Sequence, residues 1–268
     1  MTKMIALDLD NTLLNSQKEI SLVNEKALKQ LHQAGVKVVL CTGRPINAIK
    51  NYLDQLELNQ SDDYTITFNG GLVINNQTKE PLFSLGMTKA DLHPVYDYLK
   101  ANQLPMDILD FERVYELTEL GPSRYRQTVK GIEFVDTTLE NLPGGDHLFA
   151  KAVLATDPAK VTVAKENVYL PANIRVVQSQ PHILEFLPAK VNKMLGLNHL
   201  LSKLGMTPAD LMTFGDADND LEMIEGAGDG VVMANGLPEV KAVANHLTAS
   251  NDEDGVALYL KKTFDIIL

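Results

Sequence analysis

Short apolar runs alternate with longer amphipathic stretches along the first third of the chain. Met4-Ile5-Ala6-Leu7 is too short for a helix and stops abruptly at Asp8, the pattern of a buried parallel strand that presents carboxylates at its C-terminal end. Sheets of that kind bind ligands at such strand ends. Ser21 is placed to cap a periodic stretch with Leu22, Ala27, Leu28 and Leu31 on one face, closed by Gly35, and Val36–Leu40 follows as a second buried strand. A further helix from about Pro45 to Leu56 leads to a strand at Thr65–Phe68, so this third reads as a doubly wound α/β arrangement. Asn69-Gly70-Gly71 then breaks the rhythm.

Beyond the break the pattern turns to a hairpin, Leu72–Ile74 with Pro81–Leu85 around Asn75-Asn76, and a helix capped by Thr88 that runs to about Asn102. Strand-like runs at Met106–Phe111, Val114–Leu117, Lys151–Ala155 and Ile174–Val177, with a helix from Ala159 to about Tyr169, give a mixed α+β composition. From Ile183 the α/β alternation is expected to resume: a strand to Leu187, a helix Lys190–Leu204, a strand Leu211–Phe214, a helix Leu221–Ala227 and a strand Val231–Met233. The fold class is therefore α/β: a doubly wound, Rossmann-like parallel sheet built from 1–83 and 185–268, with an α+β domain inserted at 84–184.

Composition narrows the partners. The 268 residues are 45% hydrophobic and 22% charged, enough for one good core and a smaller one. A formal net charge of -11 argues against tracking nucleic acid or an anionic membrane, both of which need a basic face. Cys41 is the single cysteine, and the first ten residues lack the pattern of a signal peptide, so a cytoplasmic protein is expected. Monomer and homodimer both stay open.

Two acidic motifs follow apolar strands. Asp8-Leu9-Asp10-Asn11-Thr12 sets two carboxylates two residues apart where a strand ends. A match of this kind arises by chance in roughly 4% of chains this size, so capping aspartates are an equally simple reading. Gly215-Asp216-Ala217-Asp218-Asn219-Asp220 is rarer, about 0.2% by chance, and its hard oxygen donors suit Mg²⁺. So many anions at adjacent strand ends repel one another unless a cation sits among them. Thr42-Gly43-Arg44, after the second strand, and Lys193, in the first turn of a helix, offer hydroxyl, amide and ammonium donors to phosphoryl oxygens. Taken singly, Thr42 reads as a helix cap and Lys193 as a surface charge.

Together, four such motifs in this order, with an insert between the second and third, resemble the haloacid dehalogenase superfamily of phosphatases. The insert after Asn69-Gly70-Gly71, with Val191-Asn192-Lys193, Met233-Ala234-Asn235 and Ser250-Asn251-Asp252-Glu253-Asp254-Gly255, looks like its Cof-type branch with a C2B cap, particularly the bacterial sugar phosphatases. The resemblance implies that Asp8 attacks phosphorus and binds Mg²⁺, while Asp10 protonates the leaving oxygen and later activates water. It implies that Thr42, Gly43, Lys193 and Asn219 hold the phosphoryl group. Asp216 and the Asp10 main-chain carbonyl would complete the metal ligands, with Asp220 either an indirect ligand or a holder of Lys193. Arg44, Asn69 and Gly70 fall where substrate or cap hinge would be met. For the division of labour, Asp8 must stay ionised, whereas Asp10 must start protonated, which a neighbouring phosphate and partial burial would favour.

The resemblance implies an Mg²⁺-dependent phosphatase, with Mg²⁺ as cofactor and a small-molecule phosphate ester as substrate; a phosphomutase or other phosphotransferase using the same nucleophile and a silent binding module are the alternatives. Two positions depart from the family: Asn11 stands where glycine is usual after the second aspartate, and Met194 follows the motif lysine where glycine is common. Asparagine is the non-glycine residue that best tolerates left-handed angles, so the loop can keep its shape. The six histidines never fall at i, i+4 metal spacing, and Cys41 reads as a packed core thiol.

Overall fold

A computed structural model describes residues 2–129 and 131–267. The chain divides into two compact units: one runs to Ser84 and resumes at Asn192, the other is Leu85–Val191.

The first unit opens with β1 (Met4–Leu7), buried at every position. Helix α1 (Leu22–Gln33) starts where the Ser21 hydroxyl accepts from Asn24 N at 3.1 Å and ends before Gly35, whose φ of +92° suits glycine. Strand β2 (Lys37–Leu40) lies parallel to β1. The helix expected from Pro45 is broken into a 3₁₀ turn, Ile46–Ala48, and α2 (Lys50–Gln55). Strand β3 (Tyr64–Thr67) forms, but it does not extend the parallel sheet as its place in the pattern suggested. A parallel bridge joins Cys41 to Ile66, and β3 pairs antiparallel with β4 (Leu72–Asn75), itself paired with β5 (Pro81–Ser84).

The second unit begins with α3 (Lys89–Ala101), started by a reciprocal cap between Thr88 and Asp91. There follow β6 (Asp107–Leu109), β7 (Arg113–Leu117), α4 (Tyr125–Thr128), β8 (Glu133–Thr137), β9 (Lys151–Ala155), α5 (Pro158–Asn167), β10 (Ile174–Gln180) and β11 (Ile183–Pro188). They form one sheet, in order β10-β11-β9-β6-β7-β8, antiparallel but for β7 with β8. Here the sequence expectation is corrected: β11 was placed in the core sheet, yet it pairs with β9 and β10. Its pleat explains why. Leu184 and Phe186 pack with the helices in the same apolar cluster as Leu92 and Val161, while Glu185 between them meets Lys151 at 2.7 Å.

The first unit resumes with α6 (Lys193–Lys203), whose N-terminus is capped by Asn192 Oδ1 accepting from Leu195 N at 2.8 Å. Then come β12 (Leu211–Gly215), α7 (Leu221–Gly226), β13 (Asp229–Val232), α8 (Pro238–Val243), β14 (His246–Leu247) and α9 (Gly255–Phe264). The parallel sheet has the order β14-β13-β12-β1-β2. Along β1, Ile5 and Leu7 join the cluster of α1 and α9, and Met4 and Ala6 the cluster of α6, so both faces are covered. The chain leaves β1 toward β2 and later returns to its other side as β12. That reversal opens a crevice at the carboxyl end of β1.

Candidate active site

The strand ends place the acidic motifs side by side. Asp8 N donates to Phe214 O at 3.0 Å, which continues the β1–β12 pairing one residue past β1, and Asp216 leaves the end of β12 directly beside it. Past Asp10 the chain turns at Asn11, whose φ of +61° is the left-handed conformation that asparagine tolerates. Thr12, left without a role by the sequence, donates from Oγ1 to Asp216 Oδ1 at 3.0 Å.

Asp8, Asp216 and Asp220 are all buried, and each offers a carboxylate oxygen within 4.8 Å of the others. Lys193, at the first position of α6, is fully buried among them. Its Nζ donates to Asp8 Oδ1 and to Asp220 Oδ1, each at 2.5 Å. The surface-charge reading of Lys193 is thereby set aside. Asp220 Oδ2 accepts from Asp216 N at 2.8 Å and Ala217 N at 3.0 Å, and its carboxylate lies over Gly215, where a Cβ would sit 2.7 Å from Cγ. Both Asp220 oxygens are thus engaged, and the loop is tied around them.

Electrostatics shows what this cluster lacks. Burial pushes the Asp8 carboxyl well above its ordinary value, and the charges of Asp220 and Asp216 add to that, against the pull of Lys193. Burial and Asp220 likewise raise Asp216 to about 6. Burial works against the Lys193 ammonium, but Asp220 and Asp8 outweigh it and hold the proton. Three buried carboxylates facing one ammonium leave an excess of negative charge that a divalent cation neutralises. The donor set is all oxygen, which fits Mg²⁺.

Without a phosphate beside it, Asp10 is held toward its ionised form. Its carboxylate is outside the triad: Arg44 donates from Nε to Oδ2 at 2.8 Å and from Nη2 to Oδ1 at 2.6 Å, and Lys18 Nζ reaches Oδ1 at 2.9 Å. Burial acts to raise its pKa, but hydrogen bonds and charge from Arg44 and Lys18 prevail and lower it. Partial burial therefore does not leave Asp10 protonated in the resting site. Lys18 carried no signal in the sequence, being one of many lysines on a polar stretch.

The remaining residues expected to meet phosphate lie on the loop after β2 and around Asn69. Thr42 is buried and its Oγ1 accepts from Arg44 N at 3.1 Å, a local turn and not the helix cap considered above, since the 3₁₀ turn that follows starts after Pro45 with no side-chain cap; Thr42 N donates to Ile66 O at 2.9 Å. Gly43 has no room for a side chain: a Cβ would lie 2.9 Å from Asn69 Oδ1. Asn69 N donates to Thr42 O at 3.0 Å, and Asn219 Nδ2 donates to Asn69 Oδ1 at 3.2 Å. Gly70, at φ +99°, is pressed against α6, since a Cβ there would meet Asn192 O at 1.9 Å. Cys41 is buried and burial pushes its thiol far up, the behaviour of a packed thiol.

A family profile described as haloacid dehalogenase-like hydrolase matches residues 5–260. The chain belongs to this family. It is 36% identical to the putative phosphatase YxeH of Bacillus subtilis over 96% of both chains. It is 31% identical to the 5-amino-6-(5-phospho-D-ribitylamino)uracil phosphatase YitU of the same organism over 98% of both. A crystal structure of a haloacid dehalogenase-like hydrolase from Bacteroides thetaiotaomicron superposes with a TM-score of 0.86 at 32% identity, covering 98% of this chain and all of that one. As a haloacid dehalogenase-like hydrolase, the protein joins a parallel core sheet to an inserted, largely antiparallel cap sheet. Its site is a metal-dependent phosphohydrolase site of the aspartyl-phosphate type, with the Asp8–Asp216–Asp220 triad positioned to chelate a divalent cation.

Proposed function

We propose that this enzyme hydrolyses phosphate monoesters of small polyhydroxylated metabolites, sugar or polyol phosphates, with Asp8 as the nucleophile. The observation that carries the reading is the buried carboxylate triad closed by Lys193. The ribityl phosphate ester in the name of the relative YitU supports a polyol chain on the substrate.

Asp8 attacks phosphorus through its carboxylate, which Lys193 and a bound divalent cation would together hold ionised, and the P–O bond to the leaving group breaks as the aspartyl-phosphate forms. Lys193, the Thr42 hydroxyl and the Gly43 amide hold the phosphoryl oxygens, with Asn219 at the edge of that group. Asp8 and Asp216 would hold Mg²⁺, which would supply charge neutralisation for those oxygens, while Asp220 holds Lys193 and the loop. A bound phosphate ester competes with Asp10 for Arg44, and its negative charge raises Asp10 toward protonation. Asp10 then gives its proton to the leaving oxygen and takes one from the water that hydrolyses the intermediate. The inserted unit acts as the cap domain that selects the non-phosphate part of the substrate, in a cytoplasmic setting.

Ranking kcat/KM over several dozen phosphorylated metabolites with Mg²⁺ tests the proposal. Sugar and polyol phosphates are expected at the top. A ranking led by nucleotides or phosphoproteins, or no turnover of any monoester, rejects it.

A further inference from the structure

The segment between β3 and β4 is shaped in a way the mechanism above does not use. Phe68, Asn69 and Gly70 follow one another at φ of +52°, +56° and +99°. Left-handed angles in succession are uncommon, and a bulky residue such as Phe68 adopts them only where its surroundings enforce them. The surroundings here are tight. Gly70 leaves no space between itself and Asn192 and Lys193 at the start of α6, and Gly196 on that helix would bring a Cβ within 3.3 Å of Gly70 Cα. On the other side the Asn69 side chain, 3% exposed, lies flat on Gly43 and accepts from Asn219. Its backbone N–H is bound to Thr42 O. One left-handed turn therefore touches three separate segments expected to meet phosphate: the loop after β2, the start of α6 and the loop after β12.

Resting on the phosphatase reading, we infer that Asn69 is a positioning residue for phosphoryl transfer, whose amide fixes Asn219 against the Thr42–Gly43 loop so that their donors converge on one phosphoryl group. Asn69 suits the role on two counts. It accepts left-handed angles better than other residues with side chains, and its short amide spans the gap between Gly43 and Asn219. Donors fixed before the reaction need no reorganisation in the transition state, so the benefit falls on kcat more than on KM.

The test is a double-mutant cycle of Asn69→Gly and Asn219→Ala with p-nitrophenyl phosphate and Mg²⁺. Glycine accepts the left-handed backbone, so Asn69→Gly should still fold cooperatively, its melting temperature lowered only by the loss of one buried amide and its hydrogen bond. Each single variant is expected to lose roughly 10-fold or more in kcat with KM changed less than about 3-fold, and the double variant to be no slower than the slower single. Asn69→Asp keeps an oxygen in place for Asn219; it should hold kcat within about 3-fold of the parent, while its added charge raises KM for the anionic substrate. Binding of orthovanadate, whose trigonal-bipyramidal adduct mimics the transferring group, followed calorimetrically in Mg²⁺, should weaken in both single variants and no further in the double than in the weaker-binding single. That arm does not depend on turnover, so it still decides the role of Asn69 if the parent hydrolyses no ester and the phosphatase reading falls. Multiplicative losses, parental kcat and orthovanadate affinity in Asn69→Gly, or Asn69→Asp as slow as Asn69→Gly would overturn the inference.

Discussion

Lys193 Nζ stands 2.5 Å from Asp8 Oδ1 with both side chains buried, so the proposed nucleophile and its counter-ion share one desolvated space. The pair eases a problem that burial creates. Burial pushes the Asp8 carboxyl toward its protonated, non-nucleophilic form, and the ammonium opposes that push without outweighing it, which leaves a share of the work to a divalent cation. The lysine is thus part of the fold as well as of the chemistry.

Replacing it separates nothing cleanly, and the direction is firm. In Lys193→Met, of similar length and without charge, Asp8 and Asp220 lose their shared partner, and removing one member of a buried ion pair costs about 3–5 kcal/mol. The variant should unfold at markedly lower denaturant and show at least roughly 10³-fold lower kcat. Urea melts with parental midpoint would show that the ion pairs contribute no stability.

Metal binding should be visible without any turnover. A ligand that binds the folded state at 100 times its Kd stabilises it by about 2.7 kcal/mol, so Mg²⁺ should raise the melting temperature of the parent. Asp216→Asn removes a triad carboxylate and should abolish most of that rise, whereas chelator should return each protein to its own metal-free melting temperature. An equal rise in both proteins would place the cation elsewhere.

Asp8→Asn tests the covalent step itself. The amide retains the size of the carboxylate but cannot displace an alkoxide from phosphorus, so turnover should fall by roughly 10³-fold or more. Acid-quenched parent enzyme should carry a mass increase of one phosphoryl group that the variant lacks. A variant still labelled by substrate would move the nucleophile to another residue.

How much of this was legible beforehand depends on how local each cause is. The caps at Ser21 and Thr88 act over three residues, and each begins a helix, whereas the helix expected from Lys190 starts only at Lys193, after the Asn192 cap. Asp8 and Asp216 were found because an apolar run that stops at an aspartate is itself a local signal. The strand Ile183–Pro188 was read correctly as a strand and given to the wrong sheet, since nothing within it says which neighbour it pairs with. Strand β8 escaped notice because Glu133–Thr137 has no buried position to produce an alternation. The state of Asp10 depends on Arg44, 34 residues away, and on Lys18. Partial burial alone pointed the wrong way.

The cap domain holds a group that should make stability fall with pH. Asp107 is buried on β6, with Ser123 donating to Oδ2 and no partner for Oδ1 among the described residues. Burial raises its carboxyl to about 7, against the pull of Ser123. Above pH 4 the unfolded chain has lost this proton while the folded one keeps it to about 7, so the folded state binds more protons and stability declines as pH rises through that window. The full decline is at most about 4 kcal/mol. Asp107→Asn should gain on the parent between pH 5 and 8, and a constant gap across that range would mean that Asp107 is ionised in the fold.

Asp10 offers the sharpest division of roles, because its proton matters in proportion to the basicity of the leaving oxygen. A sugar alkoxide needs protonation as it departs, whereas p-nitrophenolate leaves with little help, so Asp10→Asn should slow the sugar ester roughly 10²-fold more than the nitrophenyl ester. Arg44 sharpens the test. It lowers the Asp10 pKa in the resting site through two hydrogen bonds, so Arg44→Met should let Asp10 keep its proton to higher pH. If Asp10 is the acid, the basic limb of kcat/KM for a sugar phosphate, which reports the free enzyme, should then move upward in Arg44→Met, and the limb for p-nitrophenyl phosphate should stay where it was. Equal losses on both esters in Asp10→Asn, together with an unmoved limb in Arg44→Met, would leave Asp10 as a structural partner of Arg44 and Lys18.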